Sequence, residues 1–198
     1  MAHYLIFGDS IVQGFNDLTG GWVQRLRESL TLDDYVFNLG VSGDTTEGLV
    51  QRFEQELKPR LSSEGEPNYV LIAIGSNDSA WNNQLKQKWV PVDKYKNNLM
   101  QLIRTARKHT DKVVLISPEP IDQAKVDPIP WDPALSYKTE LVKQYNRAMK
   151  LVAEAEKLKF VDLFNQLPPE YIKTLDDGVH PDAIGHEMIF NLVKTVLK

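Results

Sequence analysis

Tyr69-Val70-Leu71-Ile72-Ala73-Ile74 runs straight into Gly75-Ser76-Asn77-Asp78. Six consecutive apolar residues leave no polar face, so the segment suits a strand covered on both sides of a sheet. The glycine and asparagine that follow punctuate its end as a turn.

Four more runs of the same kind stand at Tyr4–Phe7, Tyr35–Leu39, Lys112–Ile116 and Phe160–Leu163. Between them apolar residues recur at helical spacing: Trp22, Leu26 and Leu30, then Leu49, Phe53 and Leu57, then Tyr95, Leu99, Leu102 and Ile103. Leu141, Tyr145, Ala148 and Val152 continue the pattern, and Ile184, Met188, Leu192 and Leu197 close the chain. Strands alternating with helices imply parallel pairing through right-handed crossovers, hence an α/β protein built as a three-layer α/β/α sandwich. No repeat, low-complexity tract or linker interrupts the pattern, so one domain spanning 1–198 is expected, long enough to bury a substantial core.

Composition narrows the function classes. The net charge of -4, with Lys and Arg spread among acids, offers no basic stripe for nucleic acid. The chain has no cysteine, which removes thiol catalysis, disulfides and thiolate metal sites together. The apolar run near the N-terminus is too short for a signal peptide, and no later stretch approaches the length of a membrane span. A cytoplasmic location is the resulting expectation.

Two connections exceed the usual few residues: Ser76 to about Val92, and Ser117 to about Leu135, the second stiffened by Pro118, Pro120, Pro128, Pro130 and Pro133. Long loops in a compact domain tend to be functional. Both leave the C-terminal edge of the sheet, where open parallel sheets bind ligands.

That edge also collects the chemistry. The first strand ends in Gly8-Asp9-Ser10, the second leads into Asn38-Leu39-Gly40-Val41-Ser42-Gly43-Asp44-Thr45-Thr46, and the third ends in Gly75-Ser76-Asn77-Asp78. Asp177-Gly178-Val179-His180-Pro181 precedes the last helix. Singly, each block reads as loop punctuation or a helix cap. Four on one edge in this combination point to hydrolysis.

The four blocks resemble those of the GDSL, or SGNH, hydrolases, which centre on Ser, Gly, Asn and His, and they occur in family order over nearly the whole chain. Ile11 stands where the family's name-giving leucine usually does, a conservative change. The likeness is greatest to small single-domain bacterial lysophospholipase and acyl-esterase members. It implies a flavodoxin-like five-stranded parallel sheet, no metal and no organic cofactor. It also implies Ser10 as nucleophile, His180 as general base and Asp177 as the carboxylate that orients it. The oxyanion hole would comprise the backbone N–H groups of Ser10 and Gly43 and the side-chain amide of Asn77, with Gly40 a tight-turn residue.

Physical chemistry supports these roles. A serine hydroxyl is a weak nucleophile until a neighbouring base takes its proton. An imidazole does so near neutral pH, and a carboxylate on its other nitrogen fixes the tautomer. Activity should therefore fall on the acid side as His180 protonates. The serine…aspartate…histidine order also occurs in α/β-hydrolases, but their Gly-x-Ser-x-Gly elbow is absent.

Other residues have blander readings. His109 closes a basic helix end and His3 precedes the first strand, so both are expected at the surface. A metal site from Asp177, His180, Asp182 and His186 matches no familiar ligand spacing. Asp9 and Asp78 resemble a glycosidase pair, but as loop-holding acceptors they leave Ser10, Asn77 and His180 their roles. Trp81 and Trp131, with Trp89, sit in the long loops, where an apolar wall for an acyl or aryl group and simple core filling weigh about equally.

The expected partner is a small-molecule ester or thioester, and no oligomeric state is implied. A carbohydrate acetylesterase is the alternative within the same machinery. A flavodoxin-like flavin or nucleotide binding module is the alternative outside enzymes, although neither a Gly-x-Gly-x-x-Gly nor a Walker-type motif occurs.

Overall fold

The computed structural model describes residues 1–197. Five parallel strands form the central sheet: β1 (His3–Gly8), β2 (Tyr35–Gly40), β3 (Asn68–Ala73), β6 (Val113–Ile116) and β8 (Lys159–Val161). Their order is β2-β1-β3-β6-β8, the flavodoxin-like arrangement, with its switch point between β1 and β3. Three two-residue strands complete the count: β4 (Trp81–Asn82), β5 (Gln87–Lys88) and β7 (Leu135–Ser136).

Alternation along β1 shows how the layers form. Leu5 and Phe7 point into one core with Val70, Ile72 and Leu115, whereas Ile6 points into the other with Leu71 and Val114. The first core is closed by α3 (Thr46–Leu57), α4 (Val92–Ala106) and α6 (Thr139–Ala155), through residues such as Leu49, Phe53, Tyr95, Leu99 and Tyr145. The second is closed by α2 (Gly21–Ser29) and α8 (Ala183–Leu197), through Trp22, Leu26, Ile189 and Val193. β2, at the edge, is only partly covered: Tyr35 is exposed and Asn38 shares no core.

Two expectations need correction. The fifth strand stops at Val161 rather than Leu163, because Asp162 caps the short helix α7 (Leu163–Gln166) by accepting from the Asn165 N–H. The two long connections are not plain loops. β4 pairs antiparallel with both β5 and β7, and α5 (Gln123–Val126) lies between β6 and β7. Beneath them Ala80, Ile121, Val126, Ile129, Tyr137, Val142 and Val179 form a third apolar cluster. This small core anchors the long loops beside the C-terminal edge of the sheet.

Among the described residues, no helix is long and apolar enough to cross a membrane.

Candidate active site

Ser10 opens α1 (Ser10–Gln13), a single helical turn directly after β1. Asp9 caps that turn: its Oδ1 accepts the Ile11 N–H at 3.0 Å. Two glycines let neighbouring chain segments approach this turn closely. A Cβ at Gly8 would lie 2.2 Å from the Ala73 carbonyl, and one at Gly40 would lie 2.3 Å from the Gln13 nitrogen. Gly40 is therefore needed for close approach of the end of β2 to α1, not for the turn expected of it.

On the far side of the chain, Asp177-Gly178-Val179-His180 folds around one carboxylate. Asp177 Oδ1 accepts the backbone N–H groups of Val179 and His180, at 2.9 and 2.8 Å. Its Oδ2 lies 2.6 Å from His180 Nδ1. Gly178 turns the chain at φ 92°, and a side chain there would collide with Lys125 and Val126.

The far nitrogen, Nε2, stands 2.9 Å from Ser10 Oγ. A carboxylate at Nδ1 puts the ring proton there, which leaves Nε2 free to accept the serine proton. Burial works against the Asp177 charge, but the hydrogen bonds from the His180 ring and the two backbone groups outweigh it and hold the carboxyl at about 2.

The second and third blocks are tied to each other. Gly43 takes φ 77° at the third position of a turn closed by Asp44 N–H to Val41 O at 3.1 Å. A Cβ there would meet nothing within 4 Å, so it is the backbone conformation, not crowding, that favours glycine. Asn77 Nδ2 donates to the Asp44 carbonyl at 2.9 Å, and Asn77 Oδ1 accepts the Tyr137 hydroxyl at 2.7 Å. With one N–H on Asp44, the amide keeps a second N–H for a ligand.

Three carboxyls lie buried under this edge. Asp78 accepts from the Thr46 backbone N–H at 3.1 Å and from the Thr46 hydroxyl, and burial with the nearby Asp9 charge raises it to about 7. Burial likewise pushes Asp9 and Glu119 well above the ordinary range, each raised further by a neighbouring acid. Glu119 accepts from Ser76 Oγ at 3.2 Å. Asp9 and Asp78 thus hold loops by hydrogen bonds to neighbouring groups.

The aromatic candidates divide. Trp131 is exposed, with its ring centroid 6.1 Å from that of His180. Trp81 lies under the Lys138 ammonium in a groove shared with Lys88, Pro91, Lys96 and Gln144, a groove that none of Ser10, Asp177 and His180 lines. Trp89 is exposed elsewhere on the same loop.

Sequence reasoning passed over Phe15, whose exposed ring sits 4.5 Å from His180, and Tyr137, buried beside Asn77. It also passed over Arg52, which donates to the Gly8 and Leu39 carbonyls and to Asp44. Only the eight-residue spacing between Asp44, just before α3, and Arg52 on it hinted at the last.

His3 is half-buried rather than exposed, with Nδ1 2.8 Å from the Arg60 carbonyl, whereas His109 is at the surface. His186 is fully buried, and its ring nitrogens face the Trp22 N–H and the Phe15 carbonyl. Among the described residues no group of three or more His, Cys, Asp or Glu is arranged to hold a metal.

A serine, an imidazole and a carboxylate in hydrogen-bonded series on a flavodoxin-like sheet define the class of the serine hydrolases. The sequence model of the GDSL-like Lipase/Acylhydrolase family matches residues 6–188, and the chain belongs to that family. It is 30% identical over 203 residues to the mouse protein named isoamyl acetate-hydrolyzing esterase 1 homolog, covering 94% of this chain and 77% of that one. It is also 30% identical over 167 residues to the acetylxylan esterase of Geobacillus stearothermophilus, covering 78% and 68% respectively. The crystal structure of a lipase/acylhydrolase from Enterococcus faecalis superposes with a TM-score of 0.78 at 25% identity, covering 98% of this chain and 93% of that one. Membership decides between the two readings of the fold: this is a carboxylic ester hydrolase of the GDSL type, not a flavin or nucleotide binding module.

Proposed function

We propose that the chain cleaves small carboxylic esters or thioesters through an acyl-enzyme on Ser10, with His180 as general base and Asp177 as its orienting carboxylate. The unbroken series Ser10 Oγ, His180 Nε2, His180 Nδ1, Asp177 Oδ2, at 2.9 and 2.6 Å, carries the reading. His180 takes the hydroxyl proton as Ser10 Oγ attacks the carbonyl carbon, and gives it to the departing alcohol. A water, deprotonated by the same nitrogen, then releases the acid. The oxyanion of each tetrahedral intermediate is assigned to the N–H groups of Ser10 and Gly43 and the free amide N–H of Asn77.

A p-nitrophenyl ester series from acetate to long acyl chains tests this on the wild type and Ser10→Ala. Turnover by the wild type with none by Ser10→Ala is the expected result. Equal turnover by both would remove Ser10 from the chemistry.

A sugar acetate is a second substrate reading, favoured by the relation to an acetylxylan esterase over 78% of the chain. Release of acetate from an acetylated xylo-oligosaccharide faster than from ethyl acetate would establish it.

A further inference from the structure

Phe15 and Trp131 are large, apolar and exposed, at 46% and 54%, and both rings lie beside the imidazole of His180. The Phe15 ring is tilted 47° to it at 4.5 Å, and the Trp131 ring 35° at 6.1 Å. Apolar side chains left open to water next to the reacting groups have a surface to offer a ligand.

Neither ring hangs on loose chain. The Phe15 N–H donates to the Ser10 carbonyl at 3.0 Å. Its carbonyl faces His186 Nε2 at 3.0 Å, while His186 Nδ1 faces the Trp22 N–H at 3.3 Å. The Trp22 donor makes Nδ1 the acceptor, so Nε2 carries the proton and His186 donates to Phe15. Burial lowers the His186 pKa, which favours this neutral form. Trp131 sits at the tip of a small turn in which Ile129 and Asp132 bridge, closed by Asp132 N–H to Ile129 O at 3.2 Å and Leu135 N–H to Asp132 O at 2.9 Å.

Which part of an ester these rings meet follows from the proton path, given the assignment of Ser10 and His180 above. When the tetrahedral intermediate collapses, the bond between carbonyl carbon and alcohol oxygen breaks. That oxygen takes the proton held on His180 Nε2, while the acyl group stays on Ser10 Oγ. The alcohol oxygen must therefore come within about 3 Å of Nε2, and the carbon body attached to it lies against what surrounds the imidazole. The acyl carbonyl points instead toward Gly43 and Asn77.

We infer that Phe15 and Trp131 form a subsite for the leaving alcohol, selecting one with a C–H-rich ring face next to the ester oxygen. A hydrocarbon ring and the apolar face of a pyranose share that chemistry.

Steady-state kinetics on two ester series test the subsite in the wild type, Phe15→Ala, Trp131→Ala and Phe15→Leu. One series holds acetate constant and varies the alcohol through ethyl, cyclohexyl, benzyl and methyl xyloside. The other holds ethanol constant and lengthens the acyl chain. Each alanine variant should lower kcat/KM about tenfold on benzyl and cyclohexyl acetate and less than about twofold on ethyl acetate. Phe15→Leu, which keeps apolar volume, should recover part of the loss. The acyl-length dependence should stay that of the wild type. A loss on the xyloside acetate matching that on benzyl acetate assigns the subsite to a sugar, and a loss confined to the hydrocarbon rings assigns it to an apolar alcohol.

Equal losses on ethyl and benzyl acetate, or a change only in acyl-length dependence, would overturn the subsite. The esterase reading would survive that result provided Ser10→Ala remains inactive on ethyl acetate. A wild type that turns over no ester in either series sinks both.

Discussion

Tyr137 donates its hydroxyl proton to Asn77 Oδ1 over 2.7 Å, and so fixes which end of that amide faces the site. An amide held at Oδ1 by Tyr137 and at one Nδ2 hydrogen by Asp44 has one donor left in one direction. If that donor serves the oxyanion, removing the phenolic hydroxyl should act on the transition state more than on binding. Tyr137→Phe is expected to lower kcat about tenfold with KM little changed, corresponding to about 1–1.5 kcal/mol for one hydrogen bond. Asn77→Ala should cost about a hundredfold to a thousandfold. A rise in KM at constant kcat in Tyr137→Phe would assign the tyrosine to substrate binding instead.

Asp177 titrates at about 2, below the ordinary value of 3.8. A carboxyl whose folded pKa is depressed contributes stability that is present above the unfolded value and is lost as the pH falls toward the folded one. Urea unfolding of the wild type should therefore weaken between about pH 4 and pH 2, and Asp177→Asn should lack that part of the change. Near neutrality Asp177 is fully ionised, so its own protonation does not shape activity there. Asp177→Asn should also lose roughly a thousandfold or more in kcat while remaining folded, since an amide does not enforce the tautomer. Near-normal kcat in that variant would remove Asp177 from its proposed role.

The buried acids work in the opposite direction. Asp78 is raised to about 7, and Asp9 and Glu119 are also raised, in each case chiefly by burial. The folded protein binds these protons where the unfolded chain would release them. Their contribution is complete below the unfolded carboxylate range and is lost as the pH rises through the folded values. Stability should thus decline from mildly acidic pH to about pH 8. Glu119→Gln, which keeps an acceptor for Ser76 but cannot ionise, should flatten the decline and melt higher than the wild type at pH 8. An unchanged decline in the variant would show that Glu119 is already charged in the folded protein across this range.

What was legible in the sequence, and what was not, follows from where each signal is encoded. Apolar runs at Tyr4, Tyr69 and Lys112 announced their strands because burial on both faces forces continuous hydrophobicity. Ser10, Asp177 and His180 stood out by motif, and the hydrogen-bonded series now links them. The three short strands β4, β5 and β7 were invisible, since two residues show no period and pair only with one another. Phe15 and Tyr137 were missed for a related reason. Their positions depend on where a loop returns in space: Tyr137 meets Asn77 sixty residues away, and Phe15 meets His180 across most of the chain. Trp81 and Trp131 had equal standing as loop aromatics, and only the fold separates the groove of one from the neighbourhood of His180.

Arg52 extends the same lesson to stability. From α3 it donates to the Gly8 carbonyl at 3.1 Å, to the Leu39 carbonyl at 3.0 Å and, through Nε, to Asp44 at 2.8 Å, and it pairs with Glu56 at 3.1 Å. One half-buried guanidinium therefore ties the end of the strand that leads into Ser10, the end of β2 and the loop that carries Gly43. Lysine offers a point charge in place of a planar fork and cannot reach all three acceptors together. Arg52→Lys should lower stability by about 1–2 kcal/mol, read as a shift in urea midpoint at unchanged slope. Its kcat should also fall further than that of an Asp93→Asn control, whose exposed pair with Lys96 lies on the surface of α4. If Arg52→Lys unfolds earlier but retains full kcat, the guanidinium braces the fold without setting the distance between Ser10 and Gly43.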